Sequence, residues 1–457
     1  MQATHEGYLQ IIHELQNGSE QAVVRLLRSI AESVDIIAAN TARHSTLLQI
    51  LFDLPWQRNV ATQQAYVQLL YHLLSVDSCF INSVLGSLIK GLQPSDDDDE
   101  KDFTEDDWKW DAEKMKMVSI QNLTLDDILQ YKPQKTRRLI VLKTCRDIQK
   151  LIPTSTAQIL RAAIRAFPHK YQPSWKLRSY MREFLSLAES LPLLRDRIIA
   201  YGIEKMIDMD VEIRLEEVPD ELLEDGADLE NSGFTAEQIK RFQASICMAD
   251  KLDAVMEELI VYLDDFCQTR PKSNEQPGTG QTLNLSVIRK RRDHVFALLL
   301  NVFERSILHT YRSKYTQFIL FYFCRLGTHL SDMFLGRLLN HCTEGHIPSI
   351  TRHSCAAYIG SYVARAKYLD HSTVRQALFY LLKWIHSQID DFEAAEEEGT
   401  QLNLTSDHIF YSICQSAFYI VCFRAGEFKE TSEAVKYLQS FSWGRVISCK
   451  GDPLEVS

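Results

Sequence analysis

Glycine and proline are scarce in this chain, 17 and 12 among 457 residues. That shortage removes much of the turn chemistry a fold of many short strands requires. Clusters of β-branched residues alternating with period two are equally thin, so the chain is predicted to be all-α. No apolar run approaches the roughly 18 residues a membrane helix needs, and the opening residues carry no apolar leader core. The ten cysteines stand singly with no C-x-x-C pair, and several of them (Cys145, Cys355, Cys414, Cys422) fall in apolar helical patterns. Reduced cysteine acts there as a small hydrophobe, which predicts a reducing compartment, cytosol or nucleus. Positive charge is in deficit: 61 acidic against 50 basic residues give −11. A chain so balanced is not expected to bind phosphate backbones broadly, so strong direct DNA binding is not predicted. A nucleophile elbow, a P-loop and a GxGxxG are all missing. The carboxylates crowd into acidic runs, which suits solvation better than acid–base work. The expectation is a protein with no enzymatic activity and no cofactor.

What is present is helical rhythm. From Pro348 to His386 the chain reads PSITRHSCAAYIGSYVARAKYLDHSTVRQALFYLLKWIH. Pro348 stops the preceding element, and Ser349 or Thr351 is expected to cap a helix that follows. Cys355, Ile359, Tyr362, Val363 and Ala366 then share one face, and Ala356, Ala357, Gly360, Ser361 and Ala364 leave room for a close neighbour. After a turn at Asp370, a second stripe runs through Val374, Ala377, Leu378, Leu381, Leu382 and Ile385. One such hairpin cannot bury both its faces, so it requires neighbours.

Similar pairs recur along the chain. Two short helices flank Asn17-Gly18-Ser19, and another closes before Leu54-Pro55-Trp56. Pairs then turn at Asp77-Ser78, Ile152-Pro153 and Leu191-Pro192. A spacing of roughly 40 residues is that of a HEAT-repeat-like α-solenoid of stacked antiparallel helix hairpins. Acidic or polar segments break the rhythm and are expected to be disordered loops. The domain reading is N-terminal helical repeats over 1–93, an acidic loop at 94–113, central repeats over 114–215 and an acidic loop at 216–235. C-terminal repeats follow over 236–445, with a linker at 271–281 and an acidic loop from Asp390 to Gly399. Residues 446–457 read as an irregular, truncated or replaced tail, leaving the apolar face of the last helices short of cover.

The stretch YIGSYVARAKYLDHSTVRQALFYLLKWIH resembles the central signature of the RNA polymerase I-specific transcription initiation factor family. A second match runs from Phe410 to Tyr419 and ends in Cys422-Phe423-Arg424, and a third is Leu54-Pro55-Trp56. The resemblance implies a non-catalytic adaptor in the nucleus and nucleolus for ribosomal RNA gene transcription. It implies RNA polymerase I as partner, through the stalk region and the adjacent large-subunit surface, and a promoter core or selectivity factor as second partner. It leaves room for a homodimer. The alternative is a nuclear transport receptor or another α-solenoid scaffold.

Candidate site residues follow. Thr154, Ser155 and Thr156 after Pro153, and Ser174 after Pro173, are candidate N-caps. They are also candidates for a partner surface switched by phosphorylation, which would add about −1.5 to −2 charge. The turn at Ile152-Pro153-Thr154-Ser155 resembles the family's corresponding turn, which carries phosphorylatable hydroxyls. Arg289, Lys290, Arg291 and Arg292 form the densest basic cluster, either an import signal or contact with an acidic partner, or a solvated helix start. Lys135-Thr136-Arg137-Arg138 is a smaller version, read as a solvated helix start. His341, Cys342, His346, His353 and Cys355 lie close in sequence, but their spacing fits no closed tetrahedral zinc pattern.

Overall fold

A computed structural model describes residues 2–94, 133–219, 234–267, 285–310, 312–397, 408–429 and 432–447. Those residues are all-α, with no strand among them. Most of the acidic loop 94–113, much of the second acidic loop, the linker 271–281 and the tail beyond Ile447 lie outside the described residues. The chain divides into two compact units, Met1–Asp265 and Phe266–Ser457, a boundary inside the 236–445 block.

In the first unit, α1 (Gln2–Asn17) and α2 (Glu20–Glu32) flank Ser19, whose hydroxyl accepts the Ala22 amide at 3.4 Å. Then come α3 (Val34–Ala39), α4 (Ser45–Phe52), α5 (Val60–Val76) and α6 (Ile81–Lys90). They are followed by α7 (Pro133–Leu151), α8 (Thr156–Arg165), α9 (Ser174–Ser190), α10 (Arg195–Asp210) and α11 (Ala236–Cys267). Helix α5 packs on α2 and α7, α6 on α8, and α9 on α7 and α10. This is the stacked-hairpin arrangement that alternating amphipathic stripes dictate. Trp56 is 3% exposed, donates Nε1–H to the Ser87 carbonyl at 2.8 Å and meets the Tyr66 ring edge-on at 5.3 Å.

The second unit holds α12 (Leu285–Val302), α13 (Phe318–Cys324), α14 (Thr328–Thr343), α15 (Ser349–Arg365) and α16 (His371–Glu397). It continues through α17 (His408–Phe423), α18 (Ala425–Lys429), α19 (Ser432–Gln439) and α20 (Trp443–Ile447). Its centre is the pairing of α15 with α17, flanked by α14 and α16. The small residues of α15 are what permit it. A Cβ at Gly360 would stand 3.2 Å from the Cα of Ser416, and the Ser416 hydroxyl donates to the Ala356 carbonyl at 2.7 Å. Arg424, 5% exposed, donates to the Val363 carbonyl at 3.0 Å and the Ala366 carbonyl at 2.6 Å, satisfying carbonyls at the end of α15.

Four expectations change. Neither Ser349 nor Thr351 caps α15: Pro348 takes the cap position, Ser349 opens the helix, and Thr351 is buried within it. The acidic loop expected from Asp390 is helical as far as Glu397, because Ile389 and Ala395 are buried and Arg445 reaches Asp390 at 2.8 Å and Glu393 at 2.7 Å. Val446 and Ile447, read as irregular tail, lie in α20, and Val446 is 1% exposed. Phe410, Ile413, Cys414 and Ala417, expected with Phe418 to lack part of their cover, are buried, whereas Phe418 is half-buried.

Candidate interaction surface

Three hairpins of the first unit turn in the same way. At Ser78–Phe80, Pro153–Ser155 and Pro192–Leu194 a single 3-10 turn runs straight into the next helix. The residue before each turn is extended in φ (Asp77 −148°, Ile152 −130°, Leu191 −127°), which reverses the chain without glycine. The third turn residue points inward: Phe80 is 6% exposed, Ser155 0% and Leu194 3%. The second points out, and Cys79, Thr154 and Leu193 are exposed, Leu193 by 80%. Gln93, just past α6, donates to the Ala166 carbonyl at the end of α8 at 2.7 Å, so these packed helices run the same way. Their opening turns lie at one end of the unit, where the Pro192–Leu194 turn also touches α8. Val76 and Leu151, the latter 74% exposed, end the helices leading into two of them. The result is an apolar, hydroxyl-bearing edge.

The four candidate hydroxyls separate on this frame. Thr154 stands on the edge. Thr156 is half-buried, donating to the Pro153 carbonyl at 2.8 Å and accepting from Gln149 Nε2 at 3.2 Å. Ser155 is not on the surface: it fills the inward slot that its counterparts fill with Phe80 and Leu194, and its hydroxyl has no hydrogen-bond partner. It makes no side-chain cap bond to α8 either. Ser174 opens α9 at the end away from the Pro192 turn, about 25 Å along a helix of that length. It too makes no cap bond.

The first unit also holds a charge network that no local motif announces. The Arg182 guanidinium grips Glu258 through both its oxygens at 3.1 and 2.9 Å, and Arg178 bonds Glu258 and Glu257 at 2.9 Å each. Tyr262 donates to Glu189 at 2.6 Å and accepts from Arg195 at 3.0 Å. Arg138, from the minor basic cluster, pairs with Glu183, while Thr136 and Arg137 are buried. Burial pushes the Glu183 carboxyl up, an effect that the Arg138 charge opposes. The partners are far apart in sequence, and no pattern of residue types marks them. Geometry and burial make this network a clamp joining α7, α9, α10 and α11.

In the second unit the basic cluster splits. Arg291 turns to its own unit, donating to the Phe266 carbonyl at 3.2 Å with its guanidinium 4.9 Å from the Phe266 ring. Arg289 and Lys290 are exposed and make no ion pair among the described residues. The histidines and cysteines go to separate tasks. His341 is 3.4 Å from Glu304, His346 is exposed, and His353 bonds Ser412. Cys342 and Cys355 are fully buried, and burial pushes both thiols up to about 12. No group of metal-ligating residues forms among the described residues, and no described helix is long and apolar enough to cross a membrane. Much of the signature stretch is core, although Tyr368, Phe379 and Tyr380 are exposed. Tyr358 meets Phe303 at 5.0 Å, Tyr362 meets Phe321 at 4.9 Å and Phe334 at 5.1 Å, and Tyr368 donates to the Phe321 carbonyl at 2.5 Å.

Residues 4–457 match the family model "RNA polymerase I specific transcription initiation factor RRN3". A mouse protein, "RNA polymerase I-specific transcription initiation factor RRN3", is 24% identical over 90% of this chain and 60% of its own length. The fission yeast protein of that description is 29% identical over 63% of this chain and 49% of its own. The chain thus spans about half to three-fifths of these curated relatives. The crystal structure of RNA Polymerase I Transcription Initiation Factor Rrn3 has the same fold, with a TM-score of 0.62 at 19% identity over 98% of this chain and 82% of that one.

Proposed function

Since the chain belongs to the RNA polymerase I specific transcription initiation factor RRN3 family, we propose that it is a non-catalytic adaptor that binds RNA polymerase I. In this reading it joins the polymerase to a promoter-bound core factor for ribosomal RNA gene transcription in the nucleolus. The carrying observation is the unbroken family match over residues 4–457. The apolar turn edge of the first unit supports it, since scaffold proteins work through surfaces and this one exposes Leu151, Thr154 and Leu193. Phosphate on Thr154 would add negative charge to that edge and weaken docking on an acidic or apolar partner face. Ser155 takes no direct part, because its hydroxyl is shut in.

The test is retention of purified RNA polymerase I by the immobilised chain. The wild type is expected to hold the polymerase, and Leu151→Asp with Leu193→Asp to lose it while keeping the helical signal and melting temperature. Thr154→Asp is expected to weaken retention, and Thr154→Ala to leave it unchanged. A wild-type chain that retains no polymerase, or retains a small GTPase from nuclear extract instead, overturns the reading.

A further inference from the structure

On the second unit, α12 and α14 enclose a cleft of about 300 Å³, lined by Leu285, Ile288, Arg289, Arg292, Asp293, Leu326, His329 and Leu330. Its apolar side is accessible: Leu285 is 81% exposed at the rim, while Leu330 is buried at 1%. Its polar side carries surplus cation. Asp293 is already engaged, 3.3 Å from His329 Nε2. Arg289 and Arg292 make no ion pair among the described residues, and the Arg292 Nε is closed off from solvent without a hydrogen-bond partner. These two arginines are three apart on one helix, so their like charges repel, and α12 has no acidic residue in its first turn. Within the helix only Asp293, four residues after Arg289, offsets the two cations, and it is shared with His329; an anion seated between the guanidiniums would compensate the rest.

We infer that this cleft is a docking site for an acidic peptide segment of a partner protein, one large apolar side chain entering between Leu285, Ile288 and Leu330 while flanking carboxylates pair with Arg289 and Arg292. The volume suits one such side chain at the small end of ligand-sized cavities. Charge complementarity chooses the occupant: an apolar floor under paired arginines matches an alternation of Glu or Asp with Phe or Leu. Nucleic acid fits less well, because the surplus charge is local on a chain of net charge −11 and is set beside apolar surface. The site is separate from the turn edge and does not depend on what binds there.

The test uses fluorescence anisotropy of a labelled peptide, Glu-Glu-Phe-Glu-Glu-Leu-Glu, with the full chain. Binding is expected, weakening with salt. Arg289→Glu with Arg292→Glu is expected to reduce affinity by about tenfold or more. Leu285→Asp, at an exposed position and safe for folding, is expected to reduce it by about fivefold. Lys290→Ala, outside the lining, should change it less than about twofold. The peptide with alanine for phenylalanine should bind about tenfold more weakly. Equal binding by the Leu285 variant, or by the alanine peptide, overturns the cleft. Displacement of the peptide by a labelled DNA duplex whose binding needs the same two arginines overturns the choice of occupant. Circular dichroism of each variant separates lost binding from lost fold, and the Leu285 variant decides if the double reversal unfolds.

Discussion

A serine hydroxyl with no partner, closed inside a helical repeat, is a cost the fold carries rather than a cap it enjoys. Leaving a buried hydroxyl unsatisfied costs about 1–3 kcal/mol, and Ser155 is 0% exposed with an unbonded Oγ. Ser155→Ala is therefore expected to raise stability by about 1 kcal/mol, where loss of an N-cap would lower it by about as much. Chemical denaturation decides between the two signs. Ser155→Asp would bury a carboxylate in that slot and is expected to unfold the first unit, so it reports on packing and not on docking. The inward slot was legible in principle. Setting Leu151-Ile152-Pro153-Thr154-Ser155 beside Ser190-Leu191-Pro192-Leu193-Leu194 puts Ser155 level with Leu194. Read alone, Pro-Thr-Ser-Thr looks like capping chemistry, which hid it. Arg424 could not be placed from the chain alone, since an arginine at a helix end shows its role only once the carbonyls it satisfies are known.

At the scale of elements, two positions test how helices are started and spaced. The Thr373 amide donates to Asp370 Oδ1 at 2.7 Å ahead of α16. That bond, first among the causes, holds the Asp370 carboxyl below its ordinary value of 3.8. The stabilisation is therefore present above 3.8 and is lost as pH falls through the lower folded value. Asp370→Ala is expected to cost about 1 kcal/mol at neutral pH. The gap from wild type should narrow under acid for both Asp370→Ala and Asp370→Asn, while the difference between these two variants stays steady across the same range in pH-dependent thermal melts. Gly360→Ala is a contest between two terms. Helix propensity gains about 1 kcal/mol, but a Cβ 3.2 Å from Ser416 atoms overpacks the α15–α17 contact, at about 1–3 kcal/mol. The net expectation is a lower melting temperature, lower still for valine. The hairpins were legible because amphipathic stripes are local. The extension of α16 through Asp390–Glu397 was not, because its acidic surface masks the buried Ile389 and Ala395, and its ion pairs come from Arg445.

For the molecule as a whole, each unit has its own core, and the ion-pair clamp in the first shows what sequence reading cannot reach: Arg182 and Glu258 pair across 76 positions. The fold class and the family were readable, since helical rhythm and an extended signature are properties of the linear chain. The cysteines report on the cores. Cys145, Cys324, Cys342 and Cys355 have thiols pushed up to about 12 by burial, so near pH 8 roughly one in ten thousand is ionised. A thiol reagent is expected to label Cys79, Cys247 and Cys422 in the folded chain and those four only after denaturant is added. Cys79 should be the slowest of the exposed set, because the Asp77 carboxylate raises its thiol. Peptide mapping by mass spectrometry reads the order.

The α15–α17 crossing also sets a clock. Its helices are pinned at the Ser416–Ala356 bond, at Gly360, and at Arg424 on Val363 and Ala366. No single turn can swing away without breaking its neighbours' bonds. In deuterated water the amides of Ala356–Tyr362 and Ser412–Ile420 should then exchange together, and last in their unit, at the rate at which the whole pair opens.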